Sequence, residues 1–156
     1  MAGFVGDFQC KLDAKGRISF PSALKKQMDA SSEGRFVLKK DLFEACLVLY
    51  PIEEWERKSE QLRRKLNPYN KKHNQFLRNF FKGSAEVMLD GNGRLLLSRR
   101  LMGQVAIEHE VVLAGQYEKI EVWAADKYEE INDSPNDVAA MAEELLGKDN
   151  FNDEAL

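Results

Sequence analysis

Apolar positions in this chain come in short blocks, alternating or run together, and eight such blocks fall into two sets of four. The first set is "FQCKL", "RISF", "RFVLKK" and "CLVLY"; the second is "EVML", "RLLL", "EVVLA" and "IEVW". Blocks of this length, rich in Val, Ile, Leu and Phe and bounded by turn residues, predict strands. Between the second and third block of each set the period changes. "PSALKKQM" holds Leu24 and Met28 four apart behind a Pro-Ser opening, and "RRLMGQVAI" holds Leu101 and Val105 four apart. A short helix is expected at each place. Each set then reads strand, turn, strand, helix, strand, strand.

Other periods separate and follow the two sets. In "PIEEWERKSEQLRRKLNPYNKKHNQFLRNFFKGSA", Trp55, Leu62 and Leu66 make a partial helical stripe that begins after Pro51, and Asn67-Pro68 ends it. A second helix is expected over Tyr69 to Phe81, with Phe76, Leu77, Phe80 and Phe81 on one face and Gly83 closing it. Its aromatics read as core or interface residues rather than stacking platforms for bases. From Lys127 onward the chain is acidic. One helix is expected there, Pro135 to Leu146, carrying Val138, Met141, Leu145 and Leu146, and the final "GKDNFNDEAL" reads as a disordered tail.

The two sets are copies of one unit. "FQCKLDAKGRISFPSALKKQ" aligns with "AEVMLDGNGRLLLSRRLMGQ", so that Leu12, Asp13, Gly16, Arg17 and Leu24 match Leu89, Asp90, Gly93, Arg94 and Leu101. The likeness continues through "RFVLKK" and "EVVLAG", then "CLVLYPIEEW" and "IEVWAADKY". The chain therefore divides into a first repeat over 6–55, a basic helical linker over 56–82, a second repeat over 83–128 and an acidic tail over 129–156.

An Asp-x-x-Gly connection suits a type I turn followed by a left-handed glycine, with the aspartate capping turn amides. Asp13, Gly16, Asp90 and Gly93 are thus explained by structure. The arginines that follow either return to their own aspartate or project outward as anion contacts. For Arg94 the internal pair is expected. Arg17 is different, because Lys15 stands at the tip of its turn and Lys25 and Lys26 follow closely in sequence, whereas the second copy has Asn92 at the tip. A basic, glycine-hinged tip is the right size to enter a DNA groove, where arginine meets phosphate or guanine edges.

Charge supports an asymmetric use of the copies. The formal net charge of −3 conceals 17 Lys+Arg against 10 Asp+Glu in residues 1–82, and 6 against 16 in residues 83–156. A basic half joined to an acidic one suggests a nucleic-acid-facing surface and an acidic tail. Other chemistries find little footing. Cys10, Cys46, His73 and His109 are isolated from one another, so reduced thiols, no metal and no cofactor are expected. No nucleophile and base fall into a recognisable pattern, and catalysis is not expected. No apolar run approaches the roughly 18 residues of a membrane helix, and no secretory leader is evident, so a cytoplasmic protein without a membrane partner is expected.

Taken together, "LDAKGRISFPSALKKQ", "MLDGNGRLLLS", "LVLYPIEEWE" and "VVLAGQYEKIEVW" resemble the MraZ family of bacterial transcriptional regulators over nearly the whole chain, and the paired motifs Asp13/Arg17 and Asp90/Arg94 make the resemblance specific. The resemblance implies an α+β protein: two tandem half-barrel repeats forming one AbrB/SpoVT-like swapped-hairpin β-barrel, with a helical linker and a C-terminal helix. It implies a closed ring of about eight to twelve chains. It implies double-stranded promoter DNA as partner, with short direct repeats upstream of the cell-division and cell-wall gene cluster that includes the family's own gene, and hence a place at the nucleoid. The DNA contact passes to Lys15 and Arg17 of the first repeat. The second lacks the lysine and has Ser98 in place of Pro21, so none passes to it. The basic linker, with Arg63, Arg64 and Lys65, against an acidic second half offers part of a ring interface. The competing reading is an antitoxin-like or structural ring, with the acidic C-terminal helix docking a protein partner.

Overall fold

The computed structural model describes residues 3–131 and 133–147, and its strands lie where the apolar blocks predict them. They are β1 Asp7–Lys11, β2 Arg17–Ser19, β3 Arg35–Lys40, β4 Leu47–Pro51, β5 Ala85–Met88, β6 Arg94–Leu96, β7 Glu110–Gly115 and β8 Ile120–Ala124. The helices are α1 Ser22–Lys26, α2 Ile52–Lys65, α3 Lys71–Phe81, α4 Arg99–Gln104, α5 Ala125–Glu129 and α6 Pro135–Leu146. Residues 148–156, which hold most of the tail expected to be disordered, lie outside the described residues.

Local chemistry sets the ends of the linker helices. α2 starts directly after Pro51, carries Glu53 and Glu54 in its first turn and Arg63, Arg64 and Lys65 in its last, which suits the helix dipole at both ends. It stops before Asn67-Pro68. α3 begins two residues later than the apolar pattern suggests, because Asn70 turns its side chain back to accept from the His73 amide at 3.1 Å and so caps the helix. After Lys82 the chain turns away through Gly83, at φ +76°.

The pairing of strands is less local. β1 does not run back along β2; it lies antiparallel to β7 of the other repeat, with Phe8 opposite Leu113. β5 likewise lies against β3, with Phe36 opposite Val87. A six-stranded sheet results, in the order β1-β7-β8-β4-β3-β5, and β2 and β6 form a separate two-stranded ribbon. Where the repeats meet symmetrically, equivalent positions face each other: Ile18 opposite Leu95 in the ribbon and Val48 opposite Glu121 in the sheet. An approximate twofold axis therefore passes through both pairs.

This exchange makes one core from two repeats. Ile18 and Leu95 turn from the ribbon toward Phe36, Leu38, Leu49, Val111, Leu113 and Val122 of the sheet, and Leu24 of α1 and Leu101 of α4 close the same cluster. Each such side chain contributes about 1.5–3 kcal/mol on burial. If one repeat is removed, the other keeps only its last two strands paired, β3 with β4 or β7 with β8, and loses every other ladder. The fold is α+β, built of two tandem half-barrel repeats that swap their first strands.

The linker packs on the outside of the sheet. Trp55 of α2 stacks on Phe80 of α3 with centroids 5.8 Å apart and planes 8° from parallel, while Phe81 meets Trp55 edge-on at 5.6 Å. The aromatic face of α3 is thus consumed by packing against α2, except for Phe76, which stays 40% exposed. Cys10 and Cys46 are unpaired thiols, and burial pushes Cys46 up to about 12.

Candidate nucleic-acid interface

The two repeated turns are built alike. In the first, the Asp13 amide donates to the Arg17 carbonyl at 2.9 Å and the Gly16 amide to the Asp13 carbonyl at 3.0 Å. Asp13 Oδ1 accepts from the amides of Lys15 and Arg17, both at 2.9 Å, and Oδ2 accepts from Arg17 Nε at 2.8 Å. In the second, Asp90 Oδ1 accepts from Asn92 and Arg94 amides at 2.8 and 2.9 Å, and Oδ2 from Arg94 Nε at 3.1 Å. Gly16 and Gly93 take φ of +84° and +75°, a backbone that glycine adopts without a Cβ penalty. So Arg94 pairs internally, as expected, and Arg17 makes the same pair rather than standing wholly outward. The bond to Asp13 runs through Nε, so the terminal nitrogens of the guanidinium are not spent on it.

These bonds set the electrostatics of the aspartates. The Arg17 amide, followed by its side chain and the Lys15 amide, holds the Asp13 carboxyl down to about 2. Asp90 is lowered too, first by the Arg94 amide and then by that of Asn92. Both stay ionised at neutral pH and keep their arginines in place.

What surrounds each turn differs, because of the strand exchange. The Leu97 amide donates to the Gly16 carbonyl and the Phe20 amide to the Gly93 carbonyl, both at 3.0 Å, so each turn is backed by the other repeat. α4 of the second repeat therefore sits over the first turn, and its Arg99 donates through Nη2 to the Ala14 carbonyl at 3.0 Å. The first turn thus gathers Lys15 and Arg17, with Asp13, and Arg99 from the other repeat.

Lys25 and Lys26 belong elsewhere. They lie on α1, and Lys25 lines a shallow cavity of about 390 Å³ with Asp29, Glu33 and Asp90 at the second turn. The structure does not bring Lys25 to Lys15. Near the second turn two cations, Arg94 and Lys25, meet three carboxylates, Asp29, Glu33 and Asp90. Arg99 is the residue that reasoning along the chain missed. Its signal was present in "SRR", which stands where the first repeat has "PSA", but only the exchange of strands shows which turn it serves.

Among the described residues no group of three or more His, Cys, Asp or Glu is arranged to hold a metal ion. No described helix is long and apolar enough to cross a membrane.

Comparison with known proteins bears on the whole chain. The family model of the MraZ protein, a description that also carries the words antitoxin-like, matches residues 4–79 and again 80–149. The first match thus takes in α2 and most of α3 with the first repeat, and the second takes in α5 and α6. The chain is 44% identical over 152 residues to the transcriptional regulator MraZ of Christiangramia forsetii, covering 97% of each protein. It is 41% identical over 155 residues to that of Flavobacterium psychrophilum, covering 99% of this chain and 97% of the relative. To that of Clostridium tetani it is 37% identical over 142 residues, covering 91% and 96%.

Proposed function

The chain belongs to the MraZ family, and we propose that it is a DNA-binding transcription regulator whose first-repeat turn enters the promoter duplex. The observation that carries this reading is the convergence of Lys15, Arg17 and Arg99, from both repeats, on one turn. Two cations, Lys15 and Arg17, come from that turn and a third, Arg99, from the other repeat, whereas the second turn has Asn92 in place of the lysine and faces Lys25 with Asp29 and Glu33. Arg17 enters the complex already ordered. Its Nε is held by Asp13, so less rotamer freedom is lost when the terminal nitrogens meet a phosphate or the O6/N7 edge of guanine. Lys15, exposed at the tip, supplies a phosphate contact, and Arg99 buttresses the turn and adds a third cation. Lys25 and Lys26, on the helix beside the second turn, are assigned phosphate contacts without sequence selection.

One tip reads few bases, at roughly 1–3 kcal/mol for each good contact. Useful specificity then comes from several tips on one assembly, a ring of about eight to twelve chains meeting direct repeats one helical turn apart through effective concentration. The targets of this reading are the direct repeats ahead of the cell-division and cell-wall gene cluster that includes the protein's own gene.

Gel-shift titration on that upstream fragment over a salt series tests the assignment. Binding should weaken steeply with salt, by about 0.9 in log–log slope for each phosphate neutralised, and Arg17→Ala should lose the shift. An unchanged shift in Arg17→Ala, with the turn intact by circular dichroism, would sink it.

A further inference from the structure

Away from the turns, α2, α3 and the connection between β3 and β4 enclose a groove of about 300 Å³. Four lysines line it: Lys39, Lys58, Lys65 and Lys119. Lys39 is 3% exposed, its Nζ lying 4.3 Å from the centroid of the Phe80 ring and donating to the Lys40 carbonyl at 2.9 Å. Asp41 also lines the groove, but its Oδ2 already accepts from the Phe43 and Glu44 amides at 3.0 and 2.9 Å, so it shapes the loop more than it offsets the lysines. The apolar rim is open: Leu42, Phe43 and Phe76 are exposed, Phe43 at 89%.

The same chain carries the complementary shape. α6 has Ser134 as its cap and Pro135 in its first turn, and none of its residues is buried. Val138 and Met141 lie three apart on one exposed face, and Asp137, Glu143 and Glu144 are its only charges. A helix of 12 residues, about 18 Å long, is marginal alone in water and owes its stability to whatever covers its apolar face. The segment leading into it, with Ile131 and Asp133, borders a different cavity that also holds Glu44, Glu121 and Glu130. That face repels an acidic helix.

We propose that α6 of one copy lies in the lysine-lined groove of the next. Val138 and Met141 meet Leu42, Phe43 and Phe76, and Asp137 and Glu144, which flank that face seven residues apart, meet Lys58 and Lys65, also seven apart. Donor and acceptor surfaces differ and every copy has one of each, so the contact is heterologous and continues from chain to chain until it closes. The inference concerns how copies join and stands apart from the DNA reading, because it is measured without DNA.

The test is the mass of the full chain in solution by light scattering, with folding checked by circular dichroism. Val138→Asp with Met141→Asp should lower the mass toward one chain, and so should Lys58→Glu with Lys65→Glu. Adding Asp137→Lys and Glu144→Lys to the lysine variant should restore the assembly. An unchanged mass in the Val138/Met141 variant overturns the proposal. So does failure of the combined charge reversal to restore it, and so does a single-chain wild type in which α6 amides are protected from exchange, since the helix would then be docked on its own chain.

Discussion

The turns at Asp13–Arg17 and Asp90–Arg94 share a hydrogen-bond pattern, atom for atom, and differ in what the opposite repeat lays beside them. The first receives Arg99, the second receives α1 with Lys25 among acidic neighbours. A duplicated unit has kept its structural half twice, while the surface it presents has diverged through residues outside the turn itself. On the proposed reading, function is a property of the pair of repeats, because each turn borrows its surroundings from the other.

The largest expected effect probes what the two copies share. Ile18 and Leu95 face each other on the twofold axis, at 1% and 0% exposure. Ile18→Ala and Leu95→Ala should each cost about 2–5 kcal/mol in chemical denaturation, through lost burial and a cavity the strands cannot close. Near-equal costs, in one cooperative transition, would support a single core. Two transitions, or a cost confined to one variant, would break that picture.

Next in size is the difference between the copies. Arg17→Ala should lose about 10-fold or more in promoter affinity per engaged tip, at roughly 1–3 kcal/mol for a good arginine contact. Arg94→Ala should change affinity by less than about twofold, because no base contact is proposed for its turn, though it breaks the same internal pair. Equal losses would mean that both turns touch DNA, or that both variants act by loosening the fold.

Smaller effects separate the residues of the basic tip. Lys15→Ala should weaken binding evenly across sequences and reduce the salt slope by about 1. Arg99→Ala should act the same way and also raise exchange of the turn amides, since it holds the Ala14 carbonyl. A transplant sharpens the point. Asn92→Lys alone should add little DNA affinity, whereas Asn92→Lys with Ser22→Arg, which copies Arg99 to its equivalent position in the repeat, should add more than the sum of the two. Purely additive gains would show that the neighbouring arginine does not shape the tip.

All eight strands, and the helices α1, α2, α3, α4 and α6, were legible along the chain because their causes are local: alternation, Pro and Asn boundaries, and an Asp-x-x-Gly turn that constrains its own backbone. Residues 52 to 55 lie in α2, which starts directly after Pro51, where the stripe through Trp55 is expected to begin. The proposed site was legible only in part. Lys15 and Arg17 are in the turn itself, so reading the turn makes them candidates. Lys25 and Arg99 depend on which strand lies beside which, and periodicity carries no information about a strand's partner. Nearness in sequence therefore favoured Lys25, and nearness in space favours Arg99. The groove between α2 and α3 escaped for the same reason: its lysines come from β3, α2 and the loop before β8, three places that the sequence keeps apart.

The smallest effect tests the turns as chemical twins. Asp13 is held at about 2 against an ordinary value of 3.8, so its folded pKa is depressed. Its share of stability is present above about pH 4 and is lost as the pH falls through about 2, when the carboxylate that accepts the turn's hydrogen bonds becomes protonated. Carbon-13 titration of the side-chain carboxyls should show Asp13 with a midpoint near 2 and Asp90 also below the ordinary value. Because the Arg17 amide lowers Asp13 more than its side chain does, Arg17→Ala should raise that midpoint only part of the way toward 3.8. A complete return would show that the guanidinium, rather than the folded backbone of the turn, holds the aspartate, and that losing Arg17 undoes the turn as well as the DNA contact. A partial return keeps the two roles apart: the backbone makes the turn in both repeats, and the arginine at the first is available for DNA.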